Sequence, residues 1–271
     1  MIPDFRSTLQ NRISARRTGL IDICSDLLHF ALITYALPAD RLRPYIPDRF
    51  DIPTFPIDRK QLALMSAVPF LDDGFHFKFL PFLRWTFAQT NYRVYVVDRE
   101  TGEPCVWFFG TTLGGRLVYL ARWLWRIPWH YARYELDCQY DPARRAYDHF
   151  RLTKTSDWAA AEIDLEDTGE PMGLTPGFSS LDEQILILTH PITGYFHRLR
   201  RWLSLSKPAQ VGTYSVWHKE IPLTVGRAKR LYFDLYERLG LLSREEMQHP
   251  HSVLICPQTT FDVRLPPRRV V

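Results

Sequence analysis

Between residues 89 and 97 the chain alternates, with Gln89, Asn91, Arg93 and Tyr95 on one side and Thr90, Tyr92, Val94 and Val96 on the other. A period of two predicts a strand with one polar face. Thr101-Gly102 and Pro104 give a turn signal, and residues 105–112 return as an aromatic-rich strand, so the pair reads as a hairpin closed by Gly114-Gly115. Leu117, Leu120, Trp123, Leu124 and Ile127 then recur at three- and four-residue spacing. That spacing predicts an amphipathic helix with Arg116, Arg122 and Arg126 around its polar side, stopped by Pro128.

The same patterns place further elements on either side. Residues 26–37 and 61–71 are apolar strand candidates, residues 134–140, 147–155 and 159–165 have the spacing of an antiparallel meander, and residues 214–219 and 252–265 supply later strands. Ser180 stands three residues before Glu183 ahead of an apolar run, which predicts a capped helix over 181–188. Residues 9–17 read as a short basic helix, 38–45 as one or two helical turns led by Pro38, and 194–204 as the start of another helix. Over 223–239 a longer helix is predicted, with Thr224 as cap, Ala228, Leu231, Tyr232, Leu235 and Leu239 at helical spacing, and Gly240 as a left-handed stop. Residues 71–84 crowd Phe75, His76, Phe77, Phe79 and Phe82 around Gly74 and Pro81, an apolar loop suited to a core edge or a pocket rim. Many strands with few helices, outside any βαβ alternation, point to an α+β fold with a large, closed antiparallel sheet.

Composition narrows the class of protein. A chain of 271 residues with 46% hydrophobic content suffices for one large core, so residues 25–271 are expected to form a single domain behind an N-terminal arm over 1–24. The 34 basic and 30 acidic residues leave a net charge of +4, scattered along the chain, which argues against a dedicated nucleic-acid binder. Cys24, Cys105, Cys138 and Cys256 lie far apart without CxxC pairs or clustered histidines, so neither a zinc site nor a disulfide framework is predicted, and a reducing cytoplasm fits. No run approaches the roughly 18 apolar residues of a membrane span, and residues 1–17 lack the apolar core of a signal peptide. No GxGxxG, P-loop, GxSxG or HExxH run occurs, so no metal or cofactor is expected. A homo-oligomer stays open.

NYRVYV (residues 91–96), VWFFGTTL (106–113), the arginine-bearing helix and IPWHYARYEL (127–136), in that order, resemble the uncharacterised bacterial YqjF-like family. LHFALITYALPADRLRPYIPDRFDI (28–52) resembles its opening strand and proline-rich segment, and VWHKEIPL (216–223) its later histidine and proline strand exit. That family is similar in fold to acetoacetate decarboxylase, so the resemblance implies an α+β fold built on a closed, cone-shaped antiparallel β-barrel flanked by helices, with an internal pocket. The resemblance implies that the face carrying Gln89, Asn91, Arg93 and Tyr95 looks into a lumen. The distant relative works through a Schiff-base lysine, its pKa lowered by a neighbouring cation. By the resemblance its glutamate falls on Gln89 and its Pro-Lys-Lys element on Pro128, Trp129 and His130. An amide exchanges no proton as a carboxylate does, and an indole condenses with no carbonyl, so decarboxylase activity is not expected to carry over.

The expected ligand wall is therefore Gln89, Asn91, Arg93, Tyr95, Trp129 and His218, for a small anionic or carbonyl metabolite, with Arg93 as the bidentate anchor. An arginine buried there requires a carboxylate or a ligand anion nearby. His130, with an ordinary pKa near about 6.5, is the candidate general base, and Lys219 the candidate Schiff-base lysine. The alternative reading is an interaction or peripheral-membrane protein that uses the tryptophan and arginine helix over 115–129 as its contact surface.

Overall fold

In the computed structural model, which describes residues 4–16, 19–199 and 210–270, the apolar runs become strands of one mostly antiparallel sheet of 15 strands. Helix α1 (Phe5–Ser14) precedes β1 (Ile23–Leu37), the turn α2 (Ala39–Leu42), β2 (Phe50–Asp51), β3 (Phe55–Ile57), and the long strands β4 (Lys60–Phe77), β5 (Trp85–Asp98) and β6 (Pro104–Leu113). Helix α3 (Leu117–Trp125) leads to β7 (Trp129–Tyr131) and to the predicted meander of β8 (Arg133–Asp141), β9 (Ala146–Thr155) and β10 (Ala161–Pro171). Then follow α4 (Leu181–Leu188), β11 (Thr193–His197), β12 (Val211–His218), β13 (Thr224–Phe233), α5 (Asp234–Arg238), α6 (Arg244–Met247), β14 (Ser252–Val263) and β15 (Arg268–Arg269).

Pairing runs β12, β11, β6, β5, β4, β1, β14, and β14 also pairs with β12 and with β13; the sheet continues from β13 through β10, β9 and β8. The all-antiparallel expectation is corrected at β6, which pairs parallel with both β7 and β11. Parallel neighbours need a long crossover, and the meander and α4 lie between β6 and β11.

The sheet has an apolar core on each face, which is why the second half of β1 is buried at nearly every position instead of alternating. One core holds Phe30, Leu32, Val68, Phe70, Tyr95 and Phe108. The other, beneath β8, β9, β10 and β13, holds Ile33, Tyr35, Tyr92, Val94, Trp107 and Phe150. Strand β5 thus presents its odd-numbered side chains to the first core and its even-numbered ones to the second, as the alternation predicted.

Two expectations for helices fail for identifiable reasons. Residues 224–233 are strand β13, paired with β10 and β14, and only 234–238 are helical. Opposite β13, Asp164 pairs with Arg230 and Leu165 with Ala228, so Lys229 is an extra residue. Such a bulge breaks the period of two and gives a strand a helix-like spacing of apolar positions. Thr224 opens the strand, its hydroxyl 3.1 Å from Asp167 Oδ1, while Gly240 does take a left-handed φ of +64°. Residues 193–197 form β11 instead of starting a helix, and residues 200–204 lie outside the described ones.

Helix α3 forms where expected but rotates its face. Val118 is buried in a cluster with Phe87 and Leu113, and Ala121 is buried too, whereas Leu120, Trp123 and Leu124 are exposed, Trp123 at 72%. The small inner side chains let the helix lie close to the sheet, and Arg122 fixes it by donating to the Trp129 carbonyl at 2.8 Å. Residues 71–77, expected as a loop, continue β4; Asp72 pairs with Leu27 on one side and Phe87 on the other.

Candidate functional site

A cavity of about 100 Å³ lies against the odd-numbered face of β5. Gln89, Asn91 and Arg93 line it, joined by Trp129 from β7 and His218 from β12. Phe30, Phe70, Phe108 and Phe261 supply much of the apolar wall. Strand register explains the grouping: Phe70 faces Gln89 and Val68 faces Asn91 across the β4–β5 ladder, so side chains of both strands point to one space.

The polar side chains form a line along β5. Gln89 Nε2 donates to Asn91 Oδ1 at 2.9 Å, and Thr111 Oγ1 donates to the same oxygen at 2.8 Å. Arg93 donates from Nη2 to the Leu188 carbonyl at the end of α4, 2.8 Å away, and lies 3.4 Å from the Tyr95 hydroxyl. Its Nε is buried without a partner, and among the described residues no carboxylate pairs with it. The carbonyl contact accounts for one of five guanidinium N–H donors.

Tyr95 does not line the cavity. Its hydroxyl lies 2.8 Å from Ser66 Oγ and 3.3 Å from the Leu188 carbonyl, and the residue is buried in the wall behind Arg93. His218 stacks on Phe261 at 4.3 Å, with Nε2 at 2.7 Å from the Thr189 carbonyl and Nδ1 at 2.6 Å from that of Lys219. Burial drives its pKa down, against the two carbonyl contacts that favour the protonated ring.

Both catalytic candidates fall outside the cavity wall. His130 stacks face to face on Trp158 at 4.0 Å, and burial followed by the nearby Arg122 lowers its pKa to about 4. On a strand whose neighbour Trp129 faces the cavity, its ring points away from it. Lys219 is exposed just beyond β12, on the side opposite the inward His218. Among the described residues no lysine lines the cavity.

Two buried ionisable side chains escaped the sequence reading. Lys154 on β9 is fully buried in the opposite core, donating to Thr112 Oγ1 at 2.7 Å, with its Nζ 4.5 Å from the centre of the Tyr92 ring. Burial depresses its pKa well below the lysine range. Asp72 on β4 lines the cavity; Ser25 donates to its Oδ1 at 2.8 Å, and its Oδ2 is buried without a partner. Burial raises its pKa to about 7, the Ser25 hydrogen bond opposing the rise. The signal for Asp72 is the alternation Val68, Phe70, Asp72, which continues past residue 71 along β4. Among the described residues no group of three His, Cys, Asp or Glu is placed to hold a metal, and no helix is long and apolar enough to cross a membrane.

The profile of DUF2071, described as an uncharacterized conserved protein, matches residues 25–260. The chain belongs to the DUF2071 family. A search of curated proteins finds no significant match. Among solved structures, this DUF2071 chain is similar to the enduracididine biosynthesis enzyme MppR complexed with pyruvate (TM-score 0.60, 11% identity, 94% of this chain and 92% of that chain). It is also similar to acetoacetate decarboxylase from Legionella pneumophila (TM-score 0.55, 14% identity, covering 96% and 94%). A third neighbour is an acetoacetate decarboxylase-like enzyme from Sphingomonas wittichii (TM-score 0.58, 11% identity, covering 92% and 93%). At these identities the likeness establishes the acetoacetate decarboxylase-like fold of the DUF2071 chain, α+β and mostly strand.

Proposed function

We propose that this DUF2071 protein binds a small carboxylate, with or without a carbonyl group, in the cavity beside β5, and that any chemistry there proceeds without a Schiff-base lysine. The observation that carries the reading is Arg93: a guanidinium in a cavity wall, its Nε unpaired and no carboxylate beside it. Burying an unpaired charge costs several kcal/mol, and an anionic ligand removes that cost. Supporting it, the pairing path from β12 through β11, β6, β5, β4, β1 and β14 returns to β12, as a closed barrel around the cavity requires. A neighbour of the same fold is complexed with pyruvate. Gln89, Asn91, Trp129 and His218 complete the ligand wall in this reading.

Saturation-transfer NMR with acetate, pyruvate and levulinate tests the proposal. At least one should bind, and Arg93→Met should weaken that binding about 100-fold or more, the scale of a lost charge-assisted pair. Absence of binding by all three, or affinity unchanged in Arg93→Met, overturns it.

A second reading rests on Trp123, 72% exposed beside the exposed Tyr119, Leu120 and Leu124. Here α3 is an interfacial contact surface that inserts its apolar side chains at a membrane boundary. Co-sedimentation with anionic vesicles that disappears in Trp123→Ala supports it; sedimentation unchanged by that substitution removes it.

A further inference from the structure

We propose that His218 is the second cation of the anion site, so that the cavity takes up its carboxylate together with one proton, which the His218 ring holds. This deepens, and rests on, the reading of Arg93 as the anion anchor. The ring is buried, with Nε2 2.7 Å from the Thr189 carbonyl and Nδ1 2.6 Å from the Lys219 carbonyl. A neutral imidazole carries a single N–H, so one of the two carbonyls would face a nitrogen lone pair. Only the imidazolium donates to both.

The end of α4 favours that charge. Consecutive carbonyls there each meet a basic side chain: Leu188 accepts from Arg93, Thr189 faces His218, and His190 accepts from Arg12 at 2.7 Å. The C-terminal end of a helix carries partial negative charge and stabilises a protonated histidine. Arg12 has a carboxylate of its own, Glu103 at 2.7 Å, whereas Arg93 has none among the described residues. Arg93 and His218 hold neighbouring carbonyls and line the same cavity, so each feels the other's charge. Burial lowers the His218 pKa, the two carbonyl contacts raise it, and Arg93 lowers it again. An anion bound at Arg93 offsets that last opposition and adds an attraction, which raises the pKa in the complex above that of the free protein.

The other ionisable groups around the ring are otherwise engaged. His190 lies against it, ring centres 4.3 Å apart. The Thr189 hydroxyl donates its one hydrogen to the Ile185 carbonyl, so it accepts from His190 Nδ1 and fixes a neutral tautomer there. Burial, then the neighbouring His218, lowers the His190 pKa to about 3. Burial pushes the Tyr214 hydroxyl up, so it too stays neutral. Lys219 and Glu220 follow the ring in sequence and are exposed, and Asp262 on β14 is paired with Arg16 and Lys78. Asp72, which burial raises to about 7, is the competing proton acceptor on the cavity wall. Arg93 stands opposite Ser66 in the β4–β5 ladder, roughly 20 Å along the strand from Asp72, so an anion at Arg93 acts on His218 and not on Asp72.

Acetate, pyruvate and levulinate are each added to saturation to unbuffered protein on a pH-stat at pH 7, and affinity is read by NMR titration at pH 6 and pH 8, where all three are ionised. A ligand that binds should draw in up to about one proton per site. Its Kd should tighten as pH falls through the bound-state pKa toward the lower free-state pKa, by at most about tenfold per pH unit. In protein with isotope-labelled histidines, saturation should convert one ring to the doubly protonated form. That signal should be absent from His218→Gln, whose Kd should no longer change with pH. Arg93→Met without ligand should raise the His218 pKa, since it removes an opposing charge. Binding with no proton uptake and no newly protonated ring, a result read on the unaltered protein, overturns the role of His218 and leaves the Arg93 site standing. Uptake that survives in folded His218→Gln, or that disappears in Asp72→Asn, gives the proton to Asp72 and also overturns it. Failure of all three ligands to bind removes both readings.

Discussion

Lys154 shows how a single residue records a conflict between burial and charge. Phe150, Leu152 and Lys154 share the buried face of β9, so the amine sits where the sheet requires an apolar side chain. Its pKa is lowered in the folded protein and ordinary in the unfolded chain. Below the unfolded lysine pKa of about 10.4, the unfolded state therefore binds a proton that the native state does not, and stability falls as pH falls through that window. Lys154→Met is expected to raise the melting temperature at pH 7 and to raise it less at pH 9; a gain that is equal at both pH values, or a loss, contradicts a neutral buried amine. Asp72 is its counterpart in the cavity. Its residue type was visible in the sequence, but its place on the strand was not, because Asp-Asp-Gly reads locally as a turn and only pairing on both sides holds it extended.

Among the elements, local rules held where local chemistry suffices. Ser180 caps α4 by accepting from the Glu183 amide, while the Glu183 carboxylate bonds the amide of Ser179. Ser180→Ala is expected to cost about 1 kcal/mol, measured by denaturant titration, and a change under a few tenths would show that packing alone holds the helix. Strand β13 and helix α3 mark the opposite case. A bulge at Lys229 disguised the first as a helix. For α3 the spacing left open which way the apolar stripe faces; Leu120, Trp123 and Leu124 point outward, and Val118 and Ala121 are the buried residues of the helix. Trp123→Ala should accordingly leave stability within about 0.5 kcal/mol, whereas a loss of several would mean that the ring is covered in solution.

At the scale of the molecule the sheet is organised about β1, β4 and β14, each paired on both sides along much of its length, while β8 pairs, among the described residues, with β9 alone. Hydrogen exchange is expected to be slowest in β1 and β4 and fastest among the long strands in β8, since an edge strand opens without breaking the rest. Equal protection across the two groups would deny the separation between central strands and outer meander. Acidic Asp262 on β14 ties this centre to the N-terminal segment, paired with Arg16 at 2.8 Å and Lys78 at 2.9 Å.

The sequence by itself determined the strands with clean alternation, the capped helix, and the polar face of β5, because these follow from periodicity and hydrogen bonding within a few residues. Tertiary structure alone decided that Gln89, Asn91 and Arg93 look into a cavity with Trp129 and His218, that Tyr95, His130 and Lys219 do not, and that Asp72 joins them. Those outcomes depend on strand register, on bulges that shift it, and on which face the remaining sheet covers. Each is set by contacts between residues far apart in the chain, where local pattern carries no information.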